Sequence, residues 1–187
     1  MAHSRKTIAV IGSGTHPFTA LSEALGSWLA QKGYHLVTGG GGGVMQAVAR
    51  GFSQVQPRGG MVLGILPAAA PCTTPLERRR HQPAPGYPNP YVDLPVVTHL
   101  PLSGKSGKDT ASRNHIVVLT GDLVLALPGG AGTRSEILLA MEYQKPLIVL
   151  NDQGVWDEFR NSPAHLADTL EEVLAKIEAW DASPAES

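Results

Sequence analysis

The chain of 187 residues contains one cysteine, Cys72. A lone thiol closes no internal disulfide. With no companion cysteine and no histidine at ligand spacing it offers no metal site, so a reducing cytoplasm is the expected compartment. Excess charge is also missing: 15 basic residues face 16 acidic ones, for a net charge of −1. That balance argues against a nucleic-acid or membrane-surface partner, because no global field favours either polyanion. Long apolar runs are absent as well. The opening "MAHSRKTIAVIGSG" has only four apolar residues in a row before Gly12, whereas a secretory signal needs roughly 7–15 and a spanning helix about 20. No His/Asp/Glu cluster suggests a metal, no lysine sits in a pyridoxal phosphate context, and no internal repeat is visible. What remains is 42% hydrophobic and 17% charged, the balance of a globular protein with a real core. The length suits one domain, read here as residues 1–187.

Apolar β-branched runs alternate with helix-period segments. "TIAVIG" (Thr7–Gly12) reads as a buried strand, followed by Leu21, Ala24, Leu25, Trp28 and Leu29 on one helical face. Gly33 stops that helix. "YHLVTGG" is a second strand, with Val44, Met45, Val48 and Phe52 marking the next helix. "MVLGILP" gives a third strand, and "PVVTHLPL" a fourth, placed near an edge because proline bounds it. "SRNHIVVLTG" predicts a helix, "DLVLALPGG" a strand, "TRSEILLAMEYQ" a helix and "KPLIVLN" a strand. Leu166, Leu170, Val173, Leu174, Ile177 and Trp180 predict a closing amphipathic helix. Strands this apolar are buried on both faces, which means parallel pairing with helices on each side. The expected fold is a single Rossmann-like, doubly wound α/β domain with a mostly parallel sheet. The exception is Pro67–Pro95, whose prolines forbid a long helix or a central strand. It predicts a loop insertion leaving the carboxyl end of the third strand, the edge where such sheets bind ligands.

Three strand–helix turns are rich in glycine: "GSG" (Gly12–Gly14), "GGGGG" (Gly39–Gly43) and "PGGAGT" (Pro128–Thr133). Glycine admits positive φ and lets an anion approach without a Cβ in the way. The following helix adds unpaired N–H groups and positive partial charge, so the combination predicts a phosphate site. "GSG" fails the dinucleotide fingerprint, since its third glycine would fall at Pro17. "SGKSGK" is no Walker A motif, because the first glycine would be His99. Lys105 and Lys108 then read as solvated loop lysines, with mobile phosphate contacts as the alternative. Thr133 with Glu136 three residues on fits a capping box, which would explain both residues structurally. The preceding "PGGAG" is more glycine than a cap requires.

The motif "PGGAGTRSE", with "GGGGGVMQAVARG" and "ASRNHIVVLTGDLVLALPGG" before it, resembles the LOG family, named after the plant "lonely guy" protein. The resemblance covers most of Ile8 to Leu150. It implies a Rossmann-like fold, a nucleoside 5′-monophosphate site, and cleavage of the base–ribose bond to free base and ribose 5-phosphate. It also implies a homodimer or a larger homo-oligomer. By motif, Gly129, Gly130, Gly132 and Thr133 would hold phosphate and Ser13 would line the pocket. Gly40, Gly41, Gly42, Gly43, Met45 and Asn114 would complete the ligand site. Glu136 and Arg113 would be the catalytic pair. Two departures stand out. "RNHIV" replaces the R-K-x-x-M of the hydrolases, and Ser135 stands where they often have a second acid. "SRN" and the short link "AMEYQKPLIVL" resemble a second branch that includes molybdenum cofactor carrier proteins, which bind an anionic pterin-type ligand and need not catalyse. Two functions therefore follow: a phosphoribohydrolase acting on AMP-like nucleotides, with a non-catalytic nucleotide or pterin carrier as the alternative.

For hydrolysis, a carboxylate beside the ribose would stabilise an oxocarbenium-like transition state and orient water, general-base help contributing ~10²–10⁴-fold. Arg113 would be expected to keep Glu136 ionised. No metal or redox cofactor is required, and the bound small molecule would be a nucleoside monophosphate or a molybdopterin-type ligand. His115 reads as structural. "ERRRH" (Glu77–His81) reads as a solvated face, with an acidic ligand or partner as the alternative.

Overall fold

The computed structural model describes residues 5–183. Its strands are β1 (Thr7–Ile11), β2 (His35–Thr38), β3 (Val62–Leu66), β4 (Leu94–Val97), β5 (Leu123–Ala126), β6 (Leu147–Leu150) and β7 (His165–Ala167). The helices are α1 (Thr19–Gln31), α2 (Val44–Gln54), α3 (Pro75–Arg80), α4 (Asn114–Thr120), α5 (Ala131–Glu142) and α6 (Leu170–Ala182). All seven strands form one sheet in the order β4-β3-β2-β1-β5-β6-β7, every neighbouring pair parallel. This is a Rossmann-like α/β fold.

The apolar runs are explained by two cores, one on each face. Alternate residues of a strand point to opposite sides. Ile8 and Val10 meet Leu25, Val48 and Phe52 of α1 and α2, together with Val173 and Ile177 of α6. Ala9 and Ile11 meet Val117 of α4 and Ile137 of α5. Between β1 and β5 the winding reverses: the chain first builds outward through β2, β3 and β4, then returns beside β1 and builds the other way. Chain connections diverge there and leave a crevice outside the carboxyl ends of β1 and β5.

Two expectations need correction. Leu166 belongs to β7, not to the closing helix. Strand β7 pairs with β6 in the register Ile148 to His165, Val149 to Leu166 and Leu150 to Ala167. Beyond it, Asn151 N–H donates to the Ala167 carbonyl at 2.7 Å. The helix itself starts at Leu170, after Thr169, whose hydroxyl accepts from Glu172 N–H at 3.2 Å. A three-residue strand is too short to show an alternation, and Leu166 lies four residues before Leu170, so its spacing mimics a helical position.

The proline-rich segment is the second correction. It contains the short helix α3, opened by a capping box between Thr74 and Glu77, and it runs into edge strand β4 at Leu94. Its far end is fastened to the sheet. Asp93 receives two hydrogen bonds from Arg58, at 2.6 and 2.7 Å, and one from Val62 N–H at 2.7 Å. Val92 packs onto Gly64, where a Cβ would have no room. Among the described residues no helix is long and apolar enough to cross a membrane.

Candidate functional site

The turn after β1 is tied to both neighbouring turns through Ser13. Its N–H donates to the Pro128 carbonyl at 3.1 Å, and its carbonyl accepts from Val44 N–H at 2.8 Å. Its hydroxyl accepts from His16 N–H at 2.9 Å. Ser13 thus joins the β5 turn to the start of α2. Gly43, at φ 61°, caps α2, and a Cβ there would overlap the Ser13 carbonyl. Only glycine satisfies both demands.

A cavity of about 310 Å³ opens at this switch point. Ser13, Met45, Arg113 and Asn114 line it, as do Gly130, Gly132, Thr133 and Glu136. Gly40, Gly41, Gly42, Gly43 and Gly129 do not. Three of these serve packing instead: Gly40 lies against Leu66, Gly41 against Tyr87, and Gly129 against Thr133. The first glycine of the five-residue run, Gly39, does line the cavity, and the Arg113 guanidinium lies directly on it.

The expected capping box at Thr133 and Glu136 is not formed. Helix α5 begins two residues before Thr133, with Gly130 as its N-cap and no side-chain cap. The "PGGAG" turn supplies enough backbone freedom to start the helix early. Thr133 therefore sits in the first turn, and Glu136 lies too far along the helix to reach back to the cap. The N-terminal turn of α5 is left uncapped beside the cavity, with its N–H groups and roughly half a unit of positive charge. By contrast α3 and α6 carry threonine caps.

Glu136 instead faces Arg113. The guanidinium Nη1 stands 3.5 Å from Oε1, with the two side chains only 5% and 10% exposed. Burial pushes the Glu136 carboxyl up to about 7, against the opposing pull of Arg113. The expectation that Arg113 keeps this carboxylate firmly ionised is thus corrected: desolvation outweighs the ion pair. Arg113 Nε is buried with no hydrogen-bond partner among the described residues.

Residues that the sequence does not assign to the site also line the cavity, among them Thr15, Tyr87, Ser103 and Gly104. Ser103 and Gly104 come from "SGKSGK", whose lysines are the more conspicuous residues. Lys108 pairs with Glu142 at 2.7 Å, and Lys105 is absent from the lining. Ser135 donates to the carbonyls of Gly132 and Gly104, at 2.7 and 3.2 Å, and so holds that loop over α5. His115 does not line the cavity and is held by protein groups. Its Nε2 bonds the Asp109 carbonyl at 2.9 Å, so Nε2 carries the proton and Nδ1 accepts from Tyr143 at 2.6 Å. On α3, Arg78 donates to the Cys72 and Thr73 carbonyls, closing its own turn. Among the described residues no group of three His, Cys, Asp or Glu side chains is placed to hold a metal.

The fold and this crevice define a Rossmann-like α/β protein with a ligand-sized cavity at its topological switch point. Residues 5–177 match the SLOG cluster4 family, and the chain belongs to it. A protein of Archaeoglobus fulgidus is 29% identical over 155 residues, which is 82% of this chain and 85% of the relative. Among solved structures, the molybdenum cofactor binding protein from the phototrophic bacterium Rippkaea orientalis is 29% identical, with a TM-score of 0.71 over 96% of this chain and 99% of its own. The molybdenum cofactor carrier protein of Chlamydomonas reinhardtii is 25% identical, with a TM-score of 0.72 over 96% of this chain and 100% of its own.

Proposed function

We propose that the chain is a carrier that binds an anionic, pterin-type small molecule in the switch-point cavity and releases it unchanged. The observation that carries this reading is Arg113. Its guanidinium is buried, its Nε has no partner among the described residues, and its acidic neighbour Glu136 has a pKa raised to about 7. Near neutral pH the arginine therefore lacks a full counter-ion, and a ligand anion supplies one. The uncapped start of α5, bordered by Gly130, Gly132 and Thr133, suits a phosphate. The similarity to the Rippkaea and Chlamydomonas proteins supports the same ligand class. A molybdenum cofactor would meet these residues with its anionic portion, and its metal would be cargo carried on the organic part.

A second reading has its own support. Arg113 and Glu136 line the cavity together, beside the phosphate turn, which is the arrangement a phosphoribohydrolase needs. One experiment separates the two. The purified protein is incubated with AMP and other nucleoside monophosphates and assayed for free base by chromatography, with Glu136→Gln alongside. A second portion is denatured and oxidised, and the extract is examined for pterin fluorescence. Bound pterin without base release supports the carrier. Base release that disappears in Glu136→Gln replaces the carrier with the hydrolase. Neither signal overturns both.

A further inference from the structure

The proline-rich segment between β3 and β4 sends one side chain into the cavity lining, Tyr87. Its position is built by its neighbours. Asn89, only 4% exposed, donates from Nδ2 to the Gly41 carbonyl at 2.9 Å, and its N–H donates to the Gly40 carbonyl at 2.8 Å. The same asparagine accepts from Tyr91 N–H at 3.1 Å. These bonds clamp the segment onto the glycine turn after β2. The phenol ring then lies on Gly41, where a Cβ would come within 2.7 Å of the ring edge. Tyr87 is half-buried at the cavity wall, and its hydroxyl makes no hydrogen bond among the described residues.

The sheet order places β2 on one side of β1 and β5 on the other. Tyr87 therefore stands on the β2 side of the cavity, and the uncapped turn of α5 on the β5 side. An anion held at α5 directs the rest of a ligand toward the aromatic wall. We infer that Tyr87 determines specificity by recognising a planar heteroaromatic ring on the ligand, with Asn89 as its positioning residue. This rests on the anion-binding reading of the same cavity. The residue accounts for the ring half of that ligand: it makes the cavity favour a phosphorylated purine or pterin over a bare sugar phosphate. An aromatic face stacks on such a ring whatever its substituents, so Tyr87 selects the ring and not a particular base.

The test is calorimetric titration of AMP, neopterin monophosphate and ribose 5-phosphate into the wild type, Tyr87→Ala and Tyr87→Phe, with thermal unfolding as the fold control. Removing a stacking ring weakens binding by about 5- to 150-fold. The expected result is a loss of that size for the ring-bearing ligands in Tyr87→Ala, with ribose 5-phosphate unchanged and Tyr87→Phe close to wild type. An equal loss for all three ligands, or no loss for any, overturns the role of Tyr87 while leaving the anion site standing. Failure of the wild type to bind any of the three overturns the anion site and this inference with it.

Discussion

Arg113 and Glu136 meet at 3.5 Å inside the cavity, and the carboxyl of this pair has a pKa of about 7. An unfolded glutamate titrates at about 4.3. The folded protein thus holds this proton more tightly than the unfolded chain does. The group's contribution to stability is full below the unfolded value and is lost as pH rises through about 7. Each tenfold difference in proton affinity corresponds to about 1.4 kcal/mol. Urea unfolding between pH 5 and pH 8 should show wild-type stability falling relative to Glu136→Gln, by up to about 3 kcal/mol. Parallel pH dependences for the two proteins would show that Glu136 does not take up this proton.

The same titration separates the two functions. A carrier uses Glu136 in its neutral form, so affinity for AMP or a pterin phosphate should fall as pH rises above about 7. Glu136→Gln should bind such a ligand with no corresponding fall. A hydrolase uses the carboxylate, so base release should increase through the same range and be absent from Glu136→Gln. Binding and turnover measured at pH 6 and pH 8 therefore give opposite trends for the two readings.

The glycine run should respond position by position. Gly43→Ala forces an alanine into φ 61° and against the Ser13 carbonyl, and should cost about 1–3 kcal/mol of stability. Gly42→Ala meets nothing closer than 3.5 Å and should be nearly neutral. Gly39→Ala should leave the fold largely intact but displace the Arg113 guanidinium, weakening anion binding at least about tenfold. Thermal unfolding and ligand titration on the three variants check this order. Equal effects at all three positions would contradict these separate packing roles.

The sheet and its switch point are readable in the sequence because the signals are long: apolar runs buried on both faces, broken by glycine turns. The short β7 carries no such signal and merges with the pattern of the helix after it. At the site, the motif locates Arg113, Glu136 and the α5 turn, since these follow one another within the α4–β5–α5 stretch. Tyr87 is brought in by a distant proline-rich segment, and its place is set by contacts far apart in the chain, the Asn89 clamp on Gly40 and Gly41 among them. The protonation of Glu136 is hidden for a related reason. Sequence identifies a nearby arginine, but the degree of burial that outweighs it depends on tertiary packing.

Thr133 provides the sharpest contrast between a structural and a ligand-binding threonine. It is 2% exposed and lines the cavity, yet it does not cap α5. Thr74 and Thr169 do cap their helices, accepting from Glu77 and Glu172 N–H at 3.2 Å in each case. Losing a threonine cap typically costs about 1 kcal/mol. Thr74→Ala and Thr169→Ala should therefore lower stability by about that amount and leave ligand affinity unchanged. Thr133→Val keeps the side-chain shape and removes only the hydroxyl, so it should change stability little while weakening phosphate binding about tenfold. Unfolding midpoints and titrations with AMP and a pterin phosphate measure both quantities on the same variants. A clear stability loss in Thr133→Val with no change in affinity would return this threonine to a purely structural role.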